Sequence, residues 1–249
     1  MLRFSAALVA SLIAVEPAAA CTFCDGNLRT RQTLRMHFAQ AKAVLCGQLK
    51  NPRFDRKTDD GFTDLHIAAV LKDDPARGGR NVLVIRTYLP VVANTPPDYL
   101  VFCTVSNGAL DPTFGLPATP ALMEYLKAAS GLNDSDPAAK LGYFFKHLDS
   151  TDAAIAADAF FEFARAADAD ILKAAKQIDP VRVRKLIADP NTPPERLGVF
   201  AFLLGVSGGP ADAAFLARML SENPLPERSA TAFGGLLAGL VLLAPKEGW

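Results

Sequence analysis

The sequence predicts an α+β protein in two parts: a small antiparallel β barrel or sandwich carrying one helix, then an all-α helical repeat. Three observations carry this expectation. Strand-like runs follow one another between residues 43 and 105 with no helix-period segment between them, which favours antiparallel pairing over a βαβ sheet. The stretch DPTFGLPATP at 111–120 is dense in turn residues and marks a boundary. Beyond it, alanine, leucine and phenylalanine recur at helical spacing.

Residues 1–20, MLRFSAALVASLIAVEPAAA, have the layout of a secretory signal. Arg3 supplies positive charge, residues 4–15 are mostly apolar, Pro17 breaks the helix, and Ala18, Ala19 and Ala20 fit a small-x-small cleavage pattern. A run this short does not span a bilayer core, which needs about 20 apolar residues. The expected mature chain begins at Cys21, with a β-rich part at 21–115 and a helical part at 116–249, in the periplasm, at the cell surface or outside the cell.

The β-rich part opens with a short amphipathic helix at 33–41, where Leu34, Phe38 and Ala41 share a face. Strands are expected at 43–49, 62–71, 81–89 and 99–105. The second alternates cleanly, with Leu65, Ile67, Ala69 and Leu71 on one side. Residues 51–61 and 72–80 read as polar connections, and Ser106-Asn107-Gly108 as a turn.

In the helical part, Leu122, Tyr125 and Leu126 form one stripe and Leu141, Phe144, Phe145 and Leu148 another. Asp149-Ser150-Thr151 and Asp189-Pro190-Asn191-Thr192 each precede a helix, at an offset of 40 residues, and Pro194-Glu195-Arg196 returns as Pro226-Glu227-Arg228 after 32. Such periods suit stacked helix pairs of the HEAT type, in which each pair buries its apolar face on its neighbour. Asp179-Pro180 reads as a helix cap with proline in the first turn, and Thr192-Pro193-Pro194-Glu195 as a capping box. The last helix, near residues 230–244, is apolar almost all round and needs cover from a neighbour or a partner.

All four cysteines, Cys21, Cys24, Cys46 and Cys103, lie before residue 104. In an oxidising compartment an even, clustered set reads as structural disulfides tying the leading segment to two strands. Lipidation of Cys21 is the rival; it would anchor the chain to a membrane and leave an odd thiol. Cys21-x-x-Cys24 also has the spacing of a metal knuckle, but Cys46 and Cys103 are isolated, and Asp25 after Cys24 removes the c-type haem pattern.

The cysteine pair at the start, a following strand and a cysteine in a late strand resemble netrin-like, OB-type barrels of exported proteins. Taken together, CTFC, TLRMHFAQAKAVLCGQL, YLVFCTVSNGALDP, ADPNTPPERLGVFAFLLG and GGLLAGLVLLAPKEGW resemble an uncharacterised family of exported bacterial proteins with C-terminal HEAT-like repeats. The resemblance brings no catalytic residue with it.

Other chemistry is sparse. Gly205-Val206-Ser207-Gly208-Gly209 matches G-x-S-x-G, but no histidine follows His147 and no βαβ series surrounds it, so a glycine-rich helix end is expected. His37, His66 and His147 are scattered; His147, near a helix end, is placed where positive charge is favoured. Asp158 and Glu162 are four apart on one helix face and are expected to be solvated. The net charge is zero, with 26 basic and 26 acidic residues and no basic run, which argues against nucleic acid as a partner. The sequence therefore points to a non-enzymatic binding or scaffolding protein, without a cofactor, that meets a protein partner through its helical surface. A thiol or metal function of the cysteine cluster is the alternative, and an enzyme with a site between the two parts comes third.

Overall fold

The computed structural model describes residues 31–91, 97–222 and 224–244. The chain runs α1 (Leu34–Gln40), β1 (Ala43–Asp55), β2 (Asp60–Lys72), β3 (Val82–Ile85), β4 (Asp98–Ser106) and β5 (Ala109–Ala118). There follow α2 (Pro120–Ser130), α3 (Pro137–Phe145), α4 (Ala153–Arg165), α5 (Asp168–Ala174), α6 (Pro180–Ala188), α7 (Pro194–Ser207), α8 (Pro210–Ser221), α9 (Glu227–Thr231) and α10 (Phe233–Leu243). The architecture is α+β.

The sheet has the order β3-β2-β1-β4-β5, with every neighbouring pair antiparallel. Successive strand residues point to opposite faces, and here both faces are buried. Val44, Cys46, Leu100 and Phe102 join the core shared with the helices, while Ala43, Leu45, Leu65, Val101 and Cys103 form a second core on the other side. The polar connection expected at 51–61 is instead an exposed extension of the β1–β2 hairpin, closed by a turn at 56–59. The arm is exposed over 51–60, with only Tyr88 set edge-on to Phe54 among the described ring contacts, so its polar composition does not stop it from pairing as a strand.

The expected barrel does not form, because the sheet is open. Some Cα atoms of β3 and β5 come within 8 Å of each other, so the sheet curls around its second core, but no ladder joins these two edges. β3 is only four residues long, and β5 carries Pro112 and Pro117, which have no N–H to offer a further strand. The stretch at 111–120 read as a turn-rich boundary is therefore mostly edge strand, a place where proline is tolerated.

Helix starts follow the expected chemistry in several places. Thr33, Thr119, Asp136, Asp152 and Asp179 each accept a hydrogen bond from a first-turn N–H. The capping box expected at Thr192 is absent. The Thr192 hydroxyl donates to the Leu186 carbonyl at 2.6 Å, and α7 starts after Pro193 without a side-chain cap.

One continuous core runs from α1 and the sheet through α2–α4 to α7, α8 and α10. The apolar run at 230–244 divides into α9 and α10, and α10 lies against α7 and α8. Glycine decides how close α10 comes. A Cβ on Gly235 would stand 2.2 Å from the Gly198 Cα, and one on Gly239 would stand 2.3 Å from the Ala201 carbonyl oxygen. Backbone therefore touches backbone along this seam. Among the described residues no helix is long and apolar enough to cross a membrane.

Gly235→Val should force α10 away from α7 and destabilise the fold by about 1–3 kcal/mol or more, the usual cost of overpacking. A lower urea midpoint with unchanged slope checks this.

Candidate functional site

Among the described residues, buried ionisable groups gather where α1 meets α2, α3 and α4. The set begins with Asp158 and Glu162, one turn apart on α4. These carboxylates are not solvated as expected: Asp158 is 4% exposed and Glu162 is 7% exposed. The reason is the remainder of α4. Ile155, Ala156, Ala159, Phe160 and Phe163 are buried too, so helices enclose α4 on most sides and its polar stripe is turned inward.

Asp158 is fully engaged. The Leu34 N–H in the first turn of α1 donates to its Oδ1 at 2.6 Å, and the Tyr125 hydroxyl on α2 donates to its Oδ2 at 2.7 Å. Burial lifts its pKa to about 6, against the opposing pull of these two donors. The same enclosure, with the Asp158 charge alongside, pushes the Tyr125 phenol far upward, so it remains a donor.

Glu162 and Arg35 form the second half of the cluster. The Arg35 guanidinium grips Asp134 with two hydrogen bonds, at 2.7 and 3.0 Å, and Lys140 reaches the same carboxylate at 3.0 Å. These contacts, that with Arg35 foremost, hold Asp134 down at about 2. The Arg35 Nε lies 3.6 Å from Glu162 Oε1, too far for a hydrogen bond, and both atoms are buried without another partner. Beside them opens a polar cavity of about 160 Å³, lined in part by Arg35, Lys140 and Glu162.

An aromatic cluster stands next to these groups. The Tyr143 hydroxyl donates to the Tyr125 carbonyl at 2.9 Å, and the His147 ring meets Tyr125 edge-on at 5.0 Å. At His147 the surroundings oppose the positive charge expected near a helix end. Burial first, then Arg182 and Lys146, lowers its pKa and favours the neutral ring. His37 stacks on Phe114 at 4.2 Å, and burial lowers its pKa as well.

The cysteine expectations divide. Cys21 and Cys24 lie outside the described residues. Cys46 and Cys103 are buried free thiols. They point to opposite faces of the sheet, Cys46 into the helix-side core and Cys103 into the other, so they cannot bond to each other. Burial raises both, Cys103 to about 12, which keeps them protonated. Among the described residues no group of three or more His, Cys, Asp or Glu is placed to hold a metal ion.

The G-x-S-x-G stretch has a structural explanation. Ser207 ends α7 and donates to the Leu203 carbonyl at 2.7 Å, and Gly205 faces Gly239 across the α7–α10 seam. A separate apolar groove of about 410 Å³ runs between α8 and α10, walled by Ala213, Ala214, Ala217, Leu240 and Leu243.

Sequence reasoning found the Asp158–Glu162 pair but gave it the wrong surroundings, and it missed Arg35 and Tyr125. A signal was present: the run DAFFEFA sets both acids between aromatic and alanine neighbours, which is a buried composition. No protein-family model, curated protein or solved structure matches this chain.

The raised Asp158 pKa has a definite stability signature. The folded state binds its proton more tightly than the unfolded chain, whose carboxyl titrates near the ordinary value of 3.8. This contribution is fully present below that value and is lost as pH rises through about 6. Two pKa units correspond to about 3 kcal/mol. Chemical denaturation of wild type and Asp158→Asn across this range should therefore show wild type losing about that much relative to the variant as pH rises. A constant difference would mean that Asp158 titrates normally.

Proposed function

We propose that this is an exported, non-enzymatic binding or scaffolding protein that meets a protein partner through its helical surface. The observation that carries the reading is the groove between α8 and α10. Its walls are alanine and leucine, and small side chains let another helix approach closely. Leu242 on α10 is 45% exposed and Phe233, at the start of the same helix, is 46% exposed, although α10 is apolar along its whole length. An amphipathic helix of a partner is the occupant such a groove suits, with its apolar face laid between α8 and α10.

The alternative use of the best ionisable groups, as catalysts, has less support. Asp158 spends both oxygens holding α1 and α2 together. The helix-pair spacing of the sequence is consistent with a HEAT-like arrangement, and so is the packing of α6 on α7 and of α7 on α10. Export rests on the signal-like residues 1–20 and accords with the resemblance to exported bacterial proteins. A thiol or metal role for Cys21, Cys24, Cys46 and Cys103 has weaker support, because Cys46 and Cys103 are buried on opposite faces of the sheet.

A photo-crosslinking residue at Ala217 should capture one protein at fixed stoichiometry in the native type of host, and Ala214→Arg should abolish the product. Crosslinks only between copies of this chain would make the groove a self-association face. No crosslink would overturn the reading. Intact mass of the exported material should show a chain starting at Cys21, and added acyl mass would replace the soluble form with a lipid-anchored one.

A further inference from the structure

We propose that the groove between α8 and α10 is the seat of the chain's own Trp249, which a partner helix must displace. The seat stands on the groove and the sequence; the displacement rests on the reading of this groove as a partner's docking place. The groove opens at the end of α10. Ala244, the residue after that helix, belongs to its wall, with Leu240 and Leu243 on the same side and Ala213, Ala214 and Ala217 opposite. Residues 245–249, PKEGW, follow Ala244 directly and lie outside the described residues. Trp249 is the one tryptophan of the chain.

Reach, shape and composition all match. Five residues extend to about 17 Å at most. The α8 wall, from Pro210 to Ala217, is about 10 Å long at about 1.5 Å per residue. Trp249 can therefore be brought to any part of it. Three alanines keep the α8 wall low, and the groove holds about 410 Å³. That is about fourteen waters at about 30 Å³ each, room for an indole laid between the two helices. Of the five residues only Trp249 has a large apolar body, and burying such a ring removes about 150–250 Å² from water. Pro245 cannot continue α10, and Gly248 lets the backbone reverse just before the ring. Charge runs the same way. Lys246 follows the C-terminal end of α10, and Glu247 comes within reach of the first turn of α8, the ends that favour those signs. The short tether sets an effective concentration in about the millimolar range, so a contact too weak between separate molecules holds within one chain. A partner helix competes with it, and its apparent affinity falls by the fraction of groove left open.

With one tryptophan in the chain, intrinsic fluorescence of the purified full-length protein reads the contact directly. The folded protein should emit to the blue of the urea-unfolded chain and resist acrylamide quenching by about threefold or more. Ala214→Arg, at an exposed position of α8, should return both readings to those of the unfolded chain with circular dichroism unchanged. Should that variant fail to fold, nuclear Overhauser contacts from the Trp249 indole to the Ala217 or Leu240 methyls of the wild type decide in its place. Unfolded-like emission from the folded protein, or blue-shifted emission that Ala214→Arg leaves unchanged, would overturn the seat. For the displacement, Trp249→Ser should raise the yield of the partner crosslinked at Ala217 by about threefold or more. An equal yield from both chains would overturn the displacement. No crosslink from either chain would sink the partner reading alone, since the fluorescence decides the seat independently.

Discussion

The carboxylate of Asp158 is the point on which the rest of the structure turns. It takes one hydrogen bond from the first turn of α1 and one from Tyr125 on α2, and so binds the segment that leads into the sheet to the helices that follow it. The residues joined are far apart in sequence, Leu34 and Asp158 being separated by 124 positions. A buried charge of this kind is tolerated only when donors meet it, and the two donors come from different elements. The contact thus holds only when α1, α2 and α4 are all in place. Removing either donor would leave one oxygen of a buried carboxylate unanswered.

Around that contact the molecule is organised by enclosure. Strand alternation sends Val44, Cys46, Leu100 and Phe102 to the helices and their neighbours to a second, smaller core. The sheet curls to cover that second core but does not close, since its edges are a four-residue strand and a strand interrupted by two prolines. At the far end, glycines on α7 and α10 let two backbones touch, so α10 is held by close packing along one side while Leu242 remains partly in solvent. Electrostatics follow from the same enclosure. Burial raises Asp158, Tyr125 and Cys103 and lowers His147, whereas the exposed Asp134 is governed by its two cationic partners.

Much of this was legible in the residues. The α1 helix, four of the strands and several helix starts follow from local rules, because alternation, capping side chains and proline in a first turn act over a few residues. The polar arm at 51–61 and the proline-bearing edge strand at 109–118 were misread for a shared reason. Composition suggested loops, while strand pairing is set by a neighbour that the local sequence does not name. Thr192 failed as a cap for a similar reason: its hydroxyl had a nearer acceptor in the last turn of α6.

By itself the sequence determined the α+β class, the order of strands before helices, the neutral charge balance and the signal-like beginning. These depend on periodicity and composition, which are properties of short stretches. Only the tertiary structure decided that the sheet stays open, that Cys46 and Cys103 lie on opposite faces, and that Asp158 and Glu162 face inward beside Arg35. Each of these turns on what approaches from elsewhere in the chain. Burial converts an ordinary i, i+4 carboxylate pair into one tied by two donors and one set against the Arg35 guanidinium, and burial is not a property of any local sequence.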